Sequence, residues 1–121
     1  MKVLLDSNFL MTCIKQKIDF IENLELIGLK ILIPKQVINE LKILKVRDTK
    51  KANNDAGTAL KLISKESFEE IDLHDAKTDR AIIKFAQKNP KIIIATLDKE
   101  IQKKISNKKL IIRGKKKLEI I

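Results

Sequence analysis

Five consecutive residues, Ile92-Ile93-Ile94-Ala95-Thr96, constrain the fold more than any other stretch of this 121-residue chain. An apolar, largely β-branched run without alternation marks a strand buried on both faces. Such a strand needs helices on either side of its sheet, and the rest of the chain supplies them. Val3–Leu5 reads as a first strand. Asp19–Leu29 carries Phe20, Leu24 and Ile27 at helical spacing and has a C-terminal stop at Gly28. Ile31–Ile33 reads as a second strand. Pro34 then opens a helix whose face is Val37, Ile38, Leu41 and Leu44. A polar stretch, RDTKKANND, follows, and the helical pattern returns at Ala56–Ile63. Phe68–Ile71 alternates like a third strand. Thr78–Lys88 reads as a helix stopped by Asn89-Pro90. After the IIIAT strand, Leu97–Ile105 predicts a helix and Leu110–Ile112 a fifth strand. The tail RGKKKLEII turns at Gly114 and has room for one short strand more. Strands alternating with helices imply α/β architecture: a three-layer α/β/α sandwich around a mainly parallel sheet of four or five strands. The expected organisation is a single domain over residues 1–121, without repeats or linkers.

Composition narrows the function classes. No apolar run approaches the roughly 20 residues of a membrane span, and the N-terminal segment does not read as a signal peptide. Cys13 is the only cysteine and His74 the only histidine, which excludes a disulfide framework and a Cys/His zinc site. The expected setting is cytoplasmic, with no membrane partner. Twenty-six basic against 16 acidic residues give a net charge of +10, which favours a polyanionic partner, above all nucleic acid. Solubilisation alone would also account for such an excess. There is no Trp or Tyr and there are only four Phe, so base stacking is not the expected grip; the phosphate backbone is. Basic residues cluster at Arg47–Lys51, Lys99–Lys109 and Arg113–Lys117. Arg47, Lys50, Lys51, Arg113, Lys115, Lys116 and Lys117 are the candidate nucleic-acid contacts.

The acids fall in informative places. In open α/β sheets ligands bind beyond the carboxyl ends of the strands. Asp6 follows the first strand directly, and Asp98 follows IIIATL almost directly. At 100° per residue, Glu40 lies between Ile43 and Leu44 on the apolar arc of its helix, and Asp79 lies in the arc of Ile82 and Phe85. Each acid has an ordinary explanation, as a helix cap, a first-turn charge or half of an ion pair. Jointly, four inward acids at strand exits and on facing helices are hard to explain by capping. Clustered buried carboxylates repel one another unless a cation compensates them. Without His or Cys, the donors suit a hard ion, Mg²⁺ or Mn²⁺.

The order of these features resembles the PIN domain family. The resemblance covers nearly the whole chain. It rests on Asp-Ser-Asn after strand one, an acid in the helix after an Ile-Pro strand exit, Asp at a helix start before Ala-Ile, and Thr-x-Asp after an Ile-rich strand. It implies a metal-dependent ribonuclease whose four acids are Asp6, Glu40, Asp79 and Asp98, holding one or two ions. Ser7 or Asn8, and Thr96, match polar positions of the family motifs, which would make Ser7, Asn8 and Thr96 donors that orient the carboxylates; capping or turn bonding explains Asn8 equally well. Glu100 stands where many members carry a further Asp. The RGKKK ending and compact length look most similar to archaeal relatives of the ribosomal RNA processing factor Fcf1, so ribosomal RNA or its precursor is the implied substrate. The near alternatives are a toxin ribonuclease with an antitoxin partner and a non-catalytic RNA-binding ribosome-assembly protein. A homodimer is compatible with each. A phosphoacceptor receiver domain fits poorly, because Asp6 is followed by Ser7 and Asn8 rather than by a second acid.

Overall fold

The computed structural model describes residues 1–47, 53–66, 68–114 and 116–121. Six strands form one sheet: β1 (Lys2–Leu5), β2 (Lys30–Pro34), β3 (Glu69–Ile71), β4 (Ile93–Ala95), β5 (Lys109–Arg113) and β6 (Lys117–Ile120). Their order is β3-β2-β1-β4-β5-β6. The first five run parallel, and β6 returns antiparallel along β5. The sheet thus exceeds the expected four or five strands by one. The extra strand is the tail, which reverses at Gly114 (φ +65°) and pairs Leu118 with Ile112.

The helices are α1 (Ser7–Lys15), α2 (Phe20–Leu26), α3 (Lys35–Arg47), α4 (Asn53–Lys65), α5 (Thr78–Lys88) and α6 (Lys99–Lys103). Period-two alternation along the central strands sorts side chains to two faces. Val3, Leu5, Ile31, Ile33, Ile93 and Ala95 face a core shared with Phe9, Phe20, Leu24 and Leu41 from α1, α2 and α3. Leu4, Leu32 and Ile94 face Ile82 and Ala86 of α5 and Ile101 of α6. Each fully buried Leu or Ile contributes about 1.5–3 kcal/mol by leaving water, and the three layers follow from this double burial. Among the described residues no helix is long and apolar enough to cross a membrane.

The sequence reading allows Asp6 as a helix cap but assigns no helix after it; the structure has one, α1. Asp6 is extended (φ −87°, ψ 157°) and its carboxylate caps α1, which buries Phe9, Leu10 and Cys13. Pro34 ends β2 instead of opening α3, and α6 covers only the middle of the expected 97–105 segment. These end shifts do not move any side chain to another face. Gly28 has φ +77° beyond the last turn of α2, a conformation that disfavours Cβ. The surroundings are open, so Gly28→Ala is strained by backbone and not by collision. We expect it to lower unfolding free energy by about 1–2 kcal/mol in urea titration; an unchanged midpoint would show that the turn relaxes.

Candidate active site

β1 and β4 are adjacent and parallel, with Leu5 beside Ala95. Their carboxyl ends therefore deliver Asp6 and the Thr96–Asp98 turn to the same point. Asp6 N–H donates to the Ala95 carbonyl at 3.0 Å, extending the ladder one residue past the strand. Asp6 Oδ1 accepts from Ser7 N–H at 2.8 Å, and Oδ2 accepts from the Thr96 hydroxyl at 2.9 Å. The Thr96 oxygen in turn accepts from Asp98 N–H at 3.2 Å. One hydroxyl thus joins two strand exits, donating its proton to one and accepting at the other. Gln102 Nε2 donates to the Thr96 carbonyl at 2.8 Å and ties α6 to the same turn.

Glu40 reaches the site from α3. Its Oε1 accepts from Ser7 Oγ at 3.1 Å, and Thr78 at the start of α5 lines a cleft with it. Asp79 sits in the first turn of α5. Predicted to face inward, the residue is exposed and lines two clefts instead of packing in the core. Asp98 is half-buried and caps α6, its Oδ1 accepting from Glu100 N–H at 2.9 Å. Capping and membership of an acid group are therefore compatible for Asp6 and Asp98 alike.

Two clefts share Glu40 and Asp79. One, of about 380 Å³, is lined by Asp6, Asn8, Leu44 and Arg47 as well. The other, of about 820 Å³, is lined by Lys77, Arg80, Lys84 and Lys104. Burial pushes the Asp6 carboxyl above its ordinary range; hydrogen bonds from Thr96 and Ser7 oppose this, and the charges of Asp79 and Asp98 reinforce it. Burial likewise raises Glu40, opposed by the Ser7 and Thr78 hydroxyls and reinforced by the charges of Asp6 and Asp79. The acids thus lie within reach of one another's field. Among the described residues, no three His, Cys, Asp or Glu side chains are grouped tightly enough to hold a metal ion as placed. The donor chemistry nevertheless suits a hard cation, because carboxylates whose ionisation is opposed by burial and mutual repulsion are relieved by positive charge.

The remaining candidates divide. Ser7 and Thr96 are buried in the hydrogen-bond network, and Asn8 lines the smaller cleft. Glu100 is exposed and turns toward Lys103 at 3.9 Å; only its backbone N–H joins the Asp98 turn. Arg47 lines the smaller cleft, whereas Lys50, Lys51 and Lys115 lie outside the described residues. Arg113 is held by Glu119 through bonds of 2.9 and 3.3 Å. Lys116 is exposed in the turn between β5 and β6, and Lys117 is exposed at the start of β6. That turn is on the same sheet edge as the acids, since β5 is parallel to β4, but it belongs to strands farther from β1 by about 4.8 Å each. Sequence reasoning missed Lys77, Arg80, Lys84 and Lys104 as cleft residues. The first three recur at helical spacing, i, i+3 and i+7, which was the available signal.

The sequence profile of the PIN-like domain family matches residues 3–115. The chain belongs to the PIN-like domain family. It is 32% identical to the ribonuclease VapC4 of Methanocaldococcus jannaschii over an alignment of 126 positions, covering 98% of this chain and 95% of that protein. The structure of the PIN domain endonuclease Utp24 superposes with a TM-score of 0.81 at 24% identity, covering 98% of this chain and 90% of that one. VapBC2 from Rickettsia felis, crystallised with a DNA fragment from its promoter, superposes at 0.65 and 19% identity, covering 90% of this chain and 98% of that one. The two structural likenesses concern the fold. The PIN-like α/β/α architecture expected from the sequence is the one observed.

Thr96 offers a direct test of the network in this PIN-like chain. Thr96→Val keeps volume but removes the donor to Asp6 and the acceptor for Asp98 N–H. We expect a loss of about 1–3 kcal/mol, from stranding buried polar groups, and an Asp6 carboxyl shifted further upward, read by carboxyl NMR titration. A titration midpoint unchanged from wild type would show that the hydroxyl does not restrain Asp6.

Proposed function

We propose that the protein is a metal-dependent endoribonuclease in which Asp6, Glu40, Asp79 and Asp98 hold one or two Mg²⁺ or Mn²⁺ ions. The observation that carries this reading is the buried Asp6 carboxylate. It is fixed by Ser7 and Thr96, feels the charges of Asp79 and Asp98 and acts on Glu40, at the strand ends where this architecture binds ligands. When bound, the cation activates a water and stabilises charge on the phosphodiester oxygens. The chain's own part is orientation. Thr96 and Ser7 bond Asp6, and Ser7 holds Glu40 toward it. The carboxylates would draw together around an ion, which relieves their repulsion. The relative named ribonuclease VapC4 supports RNA as the substrate class.

In the first reading the RNA is a ribosomal RNA or its precursor, and the protein works with ribosome-assembly partners in the cytoplasm. The second reading is a toxin ribonuclease held by an antitoxin. The 32% identity to VapC4 over nearly the whole of both chains favours it. The deciding assay incubates ribosomal RNA precursor, messenger RNA and transfer RNA with protein, Mn²⁺ or EDTA, beside an Asp6→Asn variant. Mn²⁺-dependent cleavage lost in the variant supports the nuclease. Binding without cleavage in Mn²⁺ leaves a non-catalytic RNA-binding protein. Cleavage confined to precursor RNA separates the first reading from the second.

A further inference from the structure

A polyanion cannot approach a group of carboxylates unless cations stand close by to offset them. The basic tail singled out by the sequence is poorly placed for this, because Arg113 is engaged by Glu119 and its turn lies strands away from Asp6. The larger cleft is better placed. It begins at Glu40 and Asp79 and runs along α5 and the end of α6, past Lys77, Arg80, Lys84 and Lys104. These four cations are not equivalent. Arg80 is committed to Asp75 by two bonds of 2.7 and 2.8 Å, and that guanidinium is the first cause holding Asp75 well below the usual carboxylate range. Lys84 stands 3.7 Å from the same carboxylate with 61% of its side chain exposed, a pairing that a phosphate can displace. Lys104 makes no ion pair among the described residues. The amino end of α5, an 11-residue helix, opens into the same cleft at Thr78 and adds partial positive charge. On the other side of the acids the smaller cleft offers Arg47 beside apolar Ile43 and Leu44.

We infer that the RNA strand crosses the acids from one cleft to the other, with Lys84 and Lys104 holding its phosphates on the α5 side. This rests on the endoribonuclease reading for the location of the scissile phosphate. The grip is asymmetric: phosphates on one side of the break are held by lysines, and the nucleotide on the other side meets Arg47 and an apolar lip. Arg80 acts differently, bracing the loop before α5 through Asp75.

The test measures binding and cleavage separately. A fluorescein-labelled, unstructured 20-nucleotide RNA is titrated in EDTA across a salt series with wild type, Lys84→Gln/Lys104→Gln and Lys116→Gln/Lys117→Gln. Circular dichroism checks that each variant is folded, as exposed lysines allow. The first pair is expected to lose about tenfold in affinity and to flatten the log–log salt slope by about 1.4, about 0.7 per lost phosphate contact on a single strand. The tail pair is expected to bind within about twofold of wild type, since its lysines lie off the path. Wild-type affinity and slope in Lys84→Gln/Lys104→Gln overturn the path, as does a loss confined to the tail pair. Absence of RNA binding by wild type overturns it too. The same proteins are then assayed with Mn²⁺. Cleavage with lysine-independent binding removes the path and keeps the nuclease. Lysine-dependent binding without cleavage keeps the binding groove and removes the nuclease.

Discussion

Asp98→Asn is expected to reduce RNA cleavage at least about 100-fold while RNA affinity stays the same or improves. The two halves of this result have separate causes. Asparagine keeps the oxygen that accepts from Glu100 N–H and Ile101 N–H, so the cap of α6 and the Thr96–Asp98 turn survive. What is lost is the negative charge, and with it one of the four ligands proposed for the cation. A repulsive charge beside the phosphate is lost as well, which is why binding does not weaken. Cleavage is read as product per time at saturating RNA in Mn²⁺, and affinity by titration in EDTA. Should Asp98→Asn cleave at the wild-type rate, Asp98 is a helix cap and nothing more, and the catalytic set shrinks to Asp6, Glu40 and Asp79.

The second large effect is on stability, and its sign reverses with metal. Burial raises Asp6 above its ordinary value of 3.8, and Glu40 above 4.5. A carboxyl whose folded value exceeds its unfolded one binds more protons in the folded state between the two values. Stability therefore falls as pH rises from the unfolded value through the folded one, and above that window the full penalty is present. At pH 7 without metal, Asp6→Asn should melt higher than wild type, because the penalty is gone and the cap remains. Lowering the pH toward 4 should narrow the difference. Saturating Mn²⁺ at about 100 times its dissociation constant should add about 2.7 kcal/mol to wild type, or about 10 °C for a chain of this size. In Asp6→Asn that rise should vanish, so the variant, more stable without metal, becomes the less stable protein with it. Differential scanning calorimetry at several pH values, with and without Mn²⁺, reads all of this. A wild-type melting temperature indifferent to millimolar metal would argue against a cation site at Asp6.

The stretches read correctly from sequence are those whose signal is periodic and internal. Thr78–Lys88 is a helix with the limits its spacing implied, and the IIIAT run contains β4, Ile93–Ala95, covered on both sides. Misreadings arose where one local pattern serves two purposes. Asp6-Ser7-Asn8 looked like either a cap or a chemical motif. The carboxylate of Asp6 caps α1 and also lies beside the acids, so the two roles are held by one side chain. The tail LEII was hard to count as a strand, because an edge strand paired on one side is only half covered and its alternation is weak. Asp79 was placed inward by its angle on the helix wheel. A wheel has no end, whereas Asp79 sits in the first turn of α5 and lines a cleft.

Sequence alone determined the layered α/β class, the buried faces and the residue types able to bind a hard cation, because periodicity and side-chain chemistry are carried by neighbouring residues. Tertiary structure decided which residues meet. Thr96 bonds Asp6 across 90 positions and Ser7 bonds Glu40 across 33, contacts set by strand order. It also decided which cations stand near the acids: Lys84 and Lys104 border the cleft, while Arg113 in the more basic tail is paired with Glu119. A run of charge in sequence records how many cations there are. Their distance from the carboxylates and their prior pairing set the local field, and both arise only when β4 closes against β1 and α5 and α6 pack on the sheet.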